Sequence, residues 1–176
     1  TPSVQAVGQS PTIYEWSGKG GDNDAREDEN WVGGNAPFGD TWQANEDIDD
    51  IYLIFSDAFS NYLYYNDIYA NTIEFQNIDQ PYHIEGEDET THIGSGGIIY
   101  STTGDLTSEI TGPIQLHASQ VWDIQNGTLE IDGAISDLTD AQEEIYGNHQ
   151  IEKTVDLKAP TVQPTGFYPD ENGEAI

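Results

Sequence analysis

Residues 91–136 read THIGSGGIIYSTTGDLTSEITGPIQLHASQVWDIQNGTLEIDGAIS. Short apolar or β-branched runs alternate here with Gly, Asn, Asp, Pro and Ser, the residues that turn a chain. The runs are Thr91–Ile93, Gly97–Tyr100, Glu109–Thr111, Ile114–Leu116, Gln120–Ile124, Thr128–Ile131 and Ala134–Ser136. Upstream the pattern continues through Ile51–Phe55, Asn61–Tyr65, Asp67–Ala70, Thr72–Phe75 and Tyr82–Glu85. Strands this brief are too closely spaced for an ordinary sandwich, whose turn signals recur about every 8–12 residues. They suit a right-handed parallel β-helix, in which each coil supplies two or three short strands and stacked coils bury a column of aliphatic side chains. Ile73, Ile84, Ile93, Ile98, Ile110, Ile114, Ile124, Ile131 and Ile135 are the expected column. Their spacing is irregular and gives no fixed coil length. A jelly-roll β-sandwich with the same residues in a two-sheet core is the alternative, and periodicity alone leaves both open.

Outward from this region the chain changes character. Residues 17–50 are Gly-, Asp-, Asn- and Glu-rich with interspersed Trp, which predicts a loop-rich N-terminal cap. Asp137–Tyr146 reads as a loop insertion with one helical turn. The division expected is an extended N-terminal segment over 1–15, a solenoid over 16–158 and an extended tail over 159–176. The tail carries Pro160, Pro164 and Pro169 and is expected to hold no regular element of its own.

The chain has 33 Asp+Glu against 4 Lys+Arg, a formal net charge of −29 in 176 residues. Such a field repels nucleic acids and anionic membranes and attracts cations. The composition is not that of a disordered chain, because 10 Tyr, 5 Phe, 4 Trp and many Ile need a core. High salt or bound divalent cations would both relieve the self-repulsion. No Cys is present, so there is no disulfide framework and no thiolate chemistry. No Met is present either, even at position 1, which reads as a processed chain or a fragment and is consistent with a removed signal peptide. No apolar run reaches the length of a membrane span.

Residues 14–39 read Y-E-W-S-G-K-G-G-D-N-D…E-N-W-V-G-G-N-A-P-F-G. This resembles the opening cassette of autotransporter-associated β-strand repeat proteins, W-(S/T)-G-x-G-G-D followed by N-W-x-G-G-x-x-P. The likeness continues through Ile73-Glu74-Phe75, Ile84-Glu85-Gly86 and Ile93-Gly94-Ser95-Gly96-Gly97-Ile98. Its most specific block runs from Pro113-Ile114-Gln115-Leu116-His117-Ala118-Ser119-Gln120-Val121-Trp122 to Gly133-Ala134-Ile135-Ser136. It covers about residues 12–136. The resemblance implies an exported β-helical passenger or surface protein with no catalytic residues to carry over. Two features depart from it. The usual continuation is matched only faintly by Gln150–Lys158, and the acidic excess is unusual. A short unit with extended ends suggests a building block of a larger structure.

Five acidic or amide residues, Asp22, Asn23, Asp24, Asp28 and Asn30, share one Gly-flanked loop. Closely spaced hard oxygens suit Ca²⁺, although the loop lacks the glycine and twelfth-position glutamate of an EF-hand. The plainer reading is a solvated acidic cap. Two further acidic runs, Asn45–Asp50 and Glu85–Glu89, read as solvated faces. His83, His92, His117 and His149 form no zinc-binding spacing. They read as partly exposed surface residues, the alternative being His83 and His92 brought together on adjacent coils. Tyr62, Tyr64, Tyr65 and Tyr69, with Phe59, make a dense aromatic patch, and alternation sends Tyr62 and Tyr64 to one face and Leu63 and Tyr65 to the other. The patch reads either as core of the first coil or as a surface for sugar stacking or subunit contact. Val4, Ala6 and Ile13 mark an end segment suited to strand addition on a neighbouring copy.

Catalysis is not expected. Among 33 acids a pair of neighbouring carboxylates carries no information, and Lys19, Arg26, Lys153 and Lys158 are the entire basic complement. The function expected is an extracellular structural protein, a self-assembling subunit of a surface fibre, filament or layer joined by β-strand addition and cation bridging. An adhesin or carbohydrate-binding module recognising surface glycans is the alternative. Self-assembly of purified protein would favour the first, and glycan binding by a stable monomer the second.

Overall fold

The computed structural model describes residues 10–38, 48–64, 67–86, 88–137, 155–157 and 162–164. In chain order the strands are β1 (Thr12–Glu15), β2 (Ile51–Phe55), β3 (Tyr62–Tyr64), β4 (Ile68–Ile78), β5 (His83–Glu85), β6 (Thr91–Thr102) and β7 (Thr107–Thr111). They continue as β8 (Ile114–Leu116), β9 (Gln120–Ile124), β10 (Thr128–Asp132), β11 (Ile135–Asp137), β12 (Val155–Leu157) and β13 (Val162–Pro164). Two 3₁₀ turns, Asp28–Asn30 and Ile48–Asp50, are the helical elements among the described residues.

Every strand ladder among these residues is parallel. The chain is a β-solenoid of about four turns. A jelly roll is antiparallel, so that alternative is overturned. Parallel crossovers of this kind are right-handed in nearly all cases.

Three columns of strands make the coil. The first runs from the start of β4 through the start of β6 to β8 and β11, with Ile68 beside Thr91, Thr91 beside Ile114 and Ile114 beside Ile135. These positions are 23, 23 and 21 residues apart. The second joins β1, β2, the rest of β4, the rest of β6, β9 and β12. The third joins β3, β5, β7, β10 and β13. The runs expected separately as 67–70 with 72–75, and 91–93 with 97–100, are continuous strands that bend at their middle. The ladder between β4 and β6 shifts register between Ala70 and Thr72 and again between Phe75 and Ile78. Gly97 sits just past the bend with φ +65°, and a Cβ there would stand 2.1 Å from the Val121 carbonyl oxygen. Only glycine allows both that backbone conformation and that approach.

Alternation then decides the core. In β2, Leu53 and Phe55 point inward and are fully buried, whereas Tyr52 and Ile54 are half-buried. Register stacks Leu53, Ile73, Ile98 and Trp122 in one row and Phe55, Phe75, Tyr100 and Ile124 in another. Leu63, Ile84, Ile110 and Ile131 form the row of the third column. All nine isoleucines expected in the column are buried.

The cap closes one end. Trp31 lies over Phe55, with ring centroids 6.5 Å apart, and meets Trp16 edge-on at 5.4 Å and Phe38 at 5.9 Å. Phe38 continues to Tyr69 at 5.1 Å. These aromatics shield rows that would otherwise end in water. At the chain ends, Thr12–Glu15 is the first rung of the second column, and Val162–Pro164, within the expected tail, pairs with β10. Among the described residues β13 pairs with β10 alone, and a proline is accommodated on such a strand. The expected helical turn falls almost wholly outside the described residues, and Asp137 belongs to β11.

Candidate functional site

Three regions carry polar chemistry or unpaired edges. The first is the cap loop. Asn30 is fully buried, and its side chain ties the loop together. Its Nδ2 donates to Asp22 Oδ1 and to the Asp24 carbonyl, both at 2.9 Å, and its Oδ1 accepts from Gly20 N at 2.6 Å. Asp24 is also buried, and its carboxylate takes a two-pronged contact from Arg26, with Nη2 to Oδ2 at 2.6 Å and Nε to Oδ1 at 3.0 Å. The hydrogen bond from Arg26 holds the Asp24 carboxyl below its usual range, against the opposing effect of burial. Asp28 Oδ1 instead accepts from Ala36 N at 2.8 Å, and Asn23 takes a left-handed conformation, φ 61°. Asp22, Asp24 and Asn30 thus meet, while Asp28 serves the next turn. No group of three or more His, Cys, Asp or Glu side chains arranged to hold a metal occurs among the described residues.

Replacing Asn30 by alanine removes the amide while leaving the Gly20 N–H and the Asp24 carbonyl without it. A buried polar group left unsatisfied costs about 1–3 kcal/mol. Asn30→Ala is therefore expected to lower the thermal midpoint by several degrees, and differential scanning calorimetry reads this directly. An unchanged midpoint would show that the cap does not depend on this amide.

The second region is the free edge of the second column. β1 pairs only with β2 among the described residues. The Trp16 N–H donates to the Ile54 carbonyl at 3.0 Å, toward β2. Glu15 faces the other way, and its carbonyl accepts from Val32 N at 2.8 Å. Alternate residues of a parallel strand bond to opposite sides. The N–H and C=O of Ile13 therefore point away from β2, along the open edge, and its side chain is 62% exposed. The neighbouring edge of β3 is different. Asn23–Ala25 of the cap lies along it, with Tyr64 N donating to Asn23 O and Ala25 N to Tyr64 O, each at 3.0 Å. Of the expected interface residues, Val4, Ala6 and Tyr65 lie outside the described residues.

The third region is the outer face of the third column. Tyr62 and Tyr64 point outward, each 38% exposed, while Leu63 is in the core. The Tyr62 ring stacks parallel on His83 from the next coil, with centroids 5.2 Å apart and planes 2° apart. His83 Nδ1 lies 3.0 Å from Glu109 Oε2 one coil further on.

Sequence reasoning misplaced two histidines. His92 and His117 are not surface residues. Both are buried, and His92 Nδ1 sits 2.8 Å from His117 Nε2. His92 neighbours Tyr69 and Gln115 on the coils to either side. Burial pushes the His92 pKa down to about 4 although Gln115 opposes it. Burial, and then the charge of His92, pushes His117 down to about 4 as well. At neutral pH both rings are neutral, one donating and the other accepting. Their separation of 25 residues has meaning only once the coil length is known.

Among the described residues the fold and its exposed groups thus define a capped β-solenoid in which β1 pairs on one side alone and the third column presents an aromatic outer face. No family model matches the chain, and no curated protein or solved structure matches it. Among the described residues no helix is long and apolar enough to cross a membrane.

Proposed function

We propose that this chain is an extracellular structural subunit, without catalytic activity, that assembles into a surface fibre, filament or layer by β-strand addition. The observation that carries the reading is the asymmetry of the cap. Among the described residues it lies along β3 of the third column, whereas on the β1 edge it bonds the Glu15 carbonyl and no strand pairs with the Ile13 side. At the other end of the same column, β12 pairs only with β9 among the described residues. Strand direction is the same throughout a parallel sheet. A β12 edge of one copy laid on the β1 edge of the next therefore continues the column without reversal. Such a contact is head-to-tail and does not close on itself, which makes a filament. The resemblance to an exported β-strand repeat family supports the extracellular location.

Charge sets the condition for assembly. At −29 per subunit, joined copies repel unless cations or salt intervene. Bridging Ca²⁺ between acidic faces, including the Asp22–Asn30 loop, is the cation role that fits this reading.

Ile13→Pro tests the contact. Proline removes a donor that faces the open edge and spares the β1–β2 bonds, and proline is accommodated on edge strands. Sedimentation velocity of the variant is expected to give a folded monomer under conditions where the parent protein polymerises. Polymers of undiminished size would remove the β1 edge from the assembly.

A further inference from the structure

Two shallow clefts open on the outer side of the third column, and they share His83. The larger, about 440 Å³, is walled by His83, Glu85, Thr111 and Asp132. Gly112 and Gly133 contribute to its lining, so part of its floor is bare backbone. The smaller, about 370 Å³, lies between Phe59, Tyr62, Gln80 and the same histidine.

The chemistry along this strip is mixed in a particular way. Phe59 is 81% exposed, an unfavourable position for an apolar ring in water. Tyr62 and His83 add a second flat surface. Glu109 Oε2 lies 3.0 Å from His83 Nδ1, so Nε2 is the ring nitrogen left for a ligand. Glu85 and Asp132 add carboxylates on the same side. Aromatic faces suit the C–H faces of sugar rings, and carboxylate and imidazole acceptors suit hydroxyl donors. A wholly apolar ligand would strip water from those carboxylates at high cost. An anionic ligand would meet the field of a chain carrying −29.

We propose that the strip from Phe59 across Tyr62 and His83 to Asp132 binds an uncharged polysaccharide. The rings pack against the sugar faces, and Glu85, Asp132 and His83 Nε2 accept from its hydroxyl groups. This binding is separate from assembly, because the strip lies on the outer face of the third column and the open edge belongs to the second.

The test is affinity electrophoresis of the Ile13→Pro protein in native gels, which keeps binding independent of polymerisation. The gels contain hydroxyethyl cellulose, galactomannan or arabinoxylan as neutral polymers, with polygalacturonate as the anionic comparator. At least one neutral polymer is expected to retard the protein, and polygalacturonate to leave its mobility unchanged. The further change Phe59→Ala with Tyr62→Ala is expected to weaken retardation at least tenfold. Asp132→Asn, which keeps size and shape, is expected to weaken it several-fold. Circular dichroism checks that these exposed substitutions leave the fold intact. The absence of retardation by every neutral polymer would overturn the proposal. Equal retardation of the parent and of the Phe59/Tyr62 variant would also overturn it.

Discussion

Phe75→Ala is expected to lower the unfolding free energy by about 3–5 kcal/mol, the range for removing a fully buried phenylalanine. Phe75 stands at the centre of an aromatic stack. Its ring lies 5.3 Å from Phe55 on the preceding coil, 5.3 Å from Tyr100 on the following coil and 5.6 Å from Tyr82. Hydrogen-bonded coils hold these neighbours in register, so they cannot collapse into the void without breaking a ladder. A solenoid also depends on contact between adjacent coils, and the stack is such a contact. Urea denaturation followed by circular dichroism measures the loss. Gln76→Ala, one residue along and exposed, is the control and is expected to stay within about 0.5 kcal/mol. A loss below about 1 kcal/mol for Phe75→Ala would mean that the rows do not carry the stability assigned to them.

The second large effect is acid sensitivity centred on the buried histidine pair. His92 and His117 have folded pKa values near 4 against an ordinary value of 6.5. Between those limits the unfolded chain binds more protons than the folded one. Their stabilising contribution is therefore complete above about pH 6.5 and declines as pH falls toward 4. Both shifts have the same sign, so the two contributions add in the same direction. Protonation also gives both facing nitrogens a hydrogen, which destroys their contact. The acidic surface acts in the opposite sense, because neutralising carboxylates relieves repulsion. The informative measurement is therefore a difference between proteins. Denaturation midpoints of the parent protein and of His92→Gln/His117→Gln are followed from pH 7.5 to 4.5. The parent is expected to lose stability more steeply, and parallel curves would contradict the assignment.

The set of core residues was legible because it obeys a local rule, one that left the solenoid and the jelly roll both open. Ile84, Ile110 and Ile131 are each flanked by outward polar residues within a brief strand, and turn formers bracket each run. The inward residue of each run can thus be read without knowing its partner. Coil length was not legible, because bends and register shifts vary from turn to turn. Positions that face each other along the first column are 23 residues apart at two steps and 21 at the third. What depends on partner identity was therefore hidden. The His92–His117 contact and the stacking of Tyr62 on His83 both arise between adjacent coils. The cap loop was legible as an acidic cluster. The use of Arg26, the chain's one arginine, to occupy Asp24 depends on the turn that folds the two together. That Tyr62 and Tyr64 share a face followed from alternation, but which face lies outward depended on the packing of Leu63 in the core.

The central claim is assembly through the open sheet edge, and electron microscopy of the purified chain tests it most directly. Images are taken with Ca²⁺ and again with excess chelator, alongside Ile13→Pro. The account predicts regular filaments or sheets from the parent protein with Ca²⁺, their loss on chelation, and separate particles from the variant. Separate particles from the parent protein in both conditions would contradict it, and polymers of Ile13→Pro indistinguishable from the parent's would contradict the role of β1.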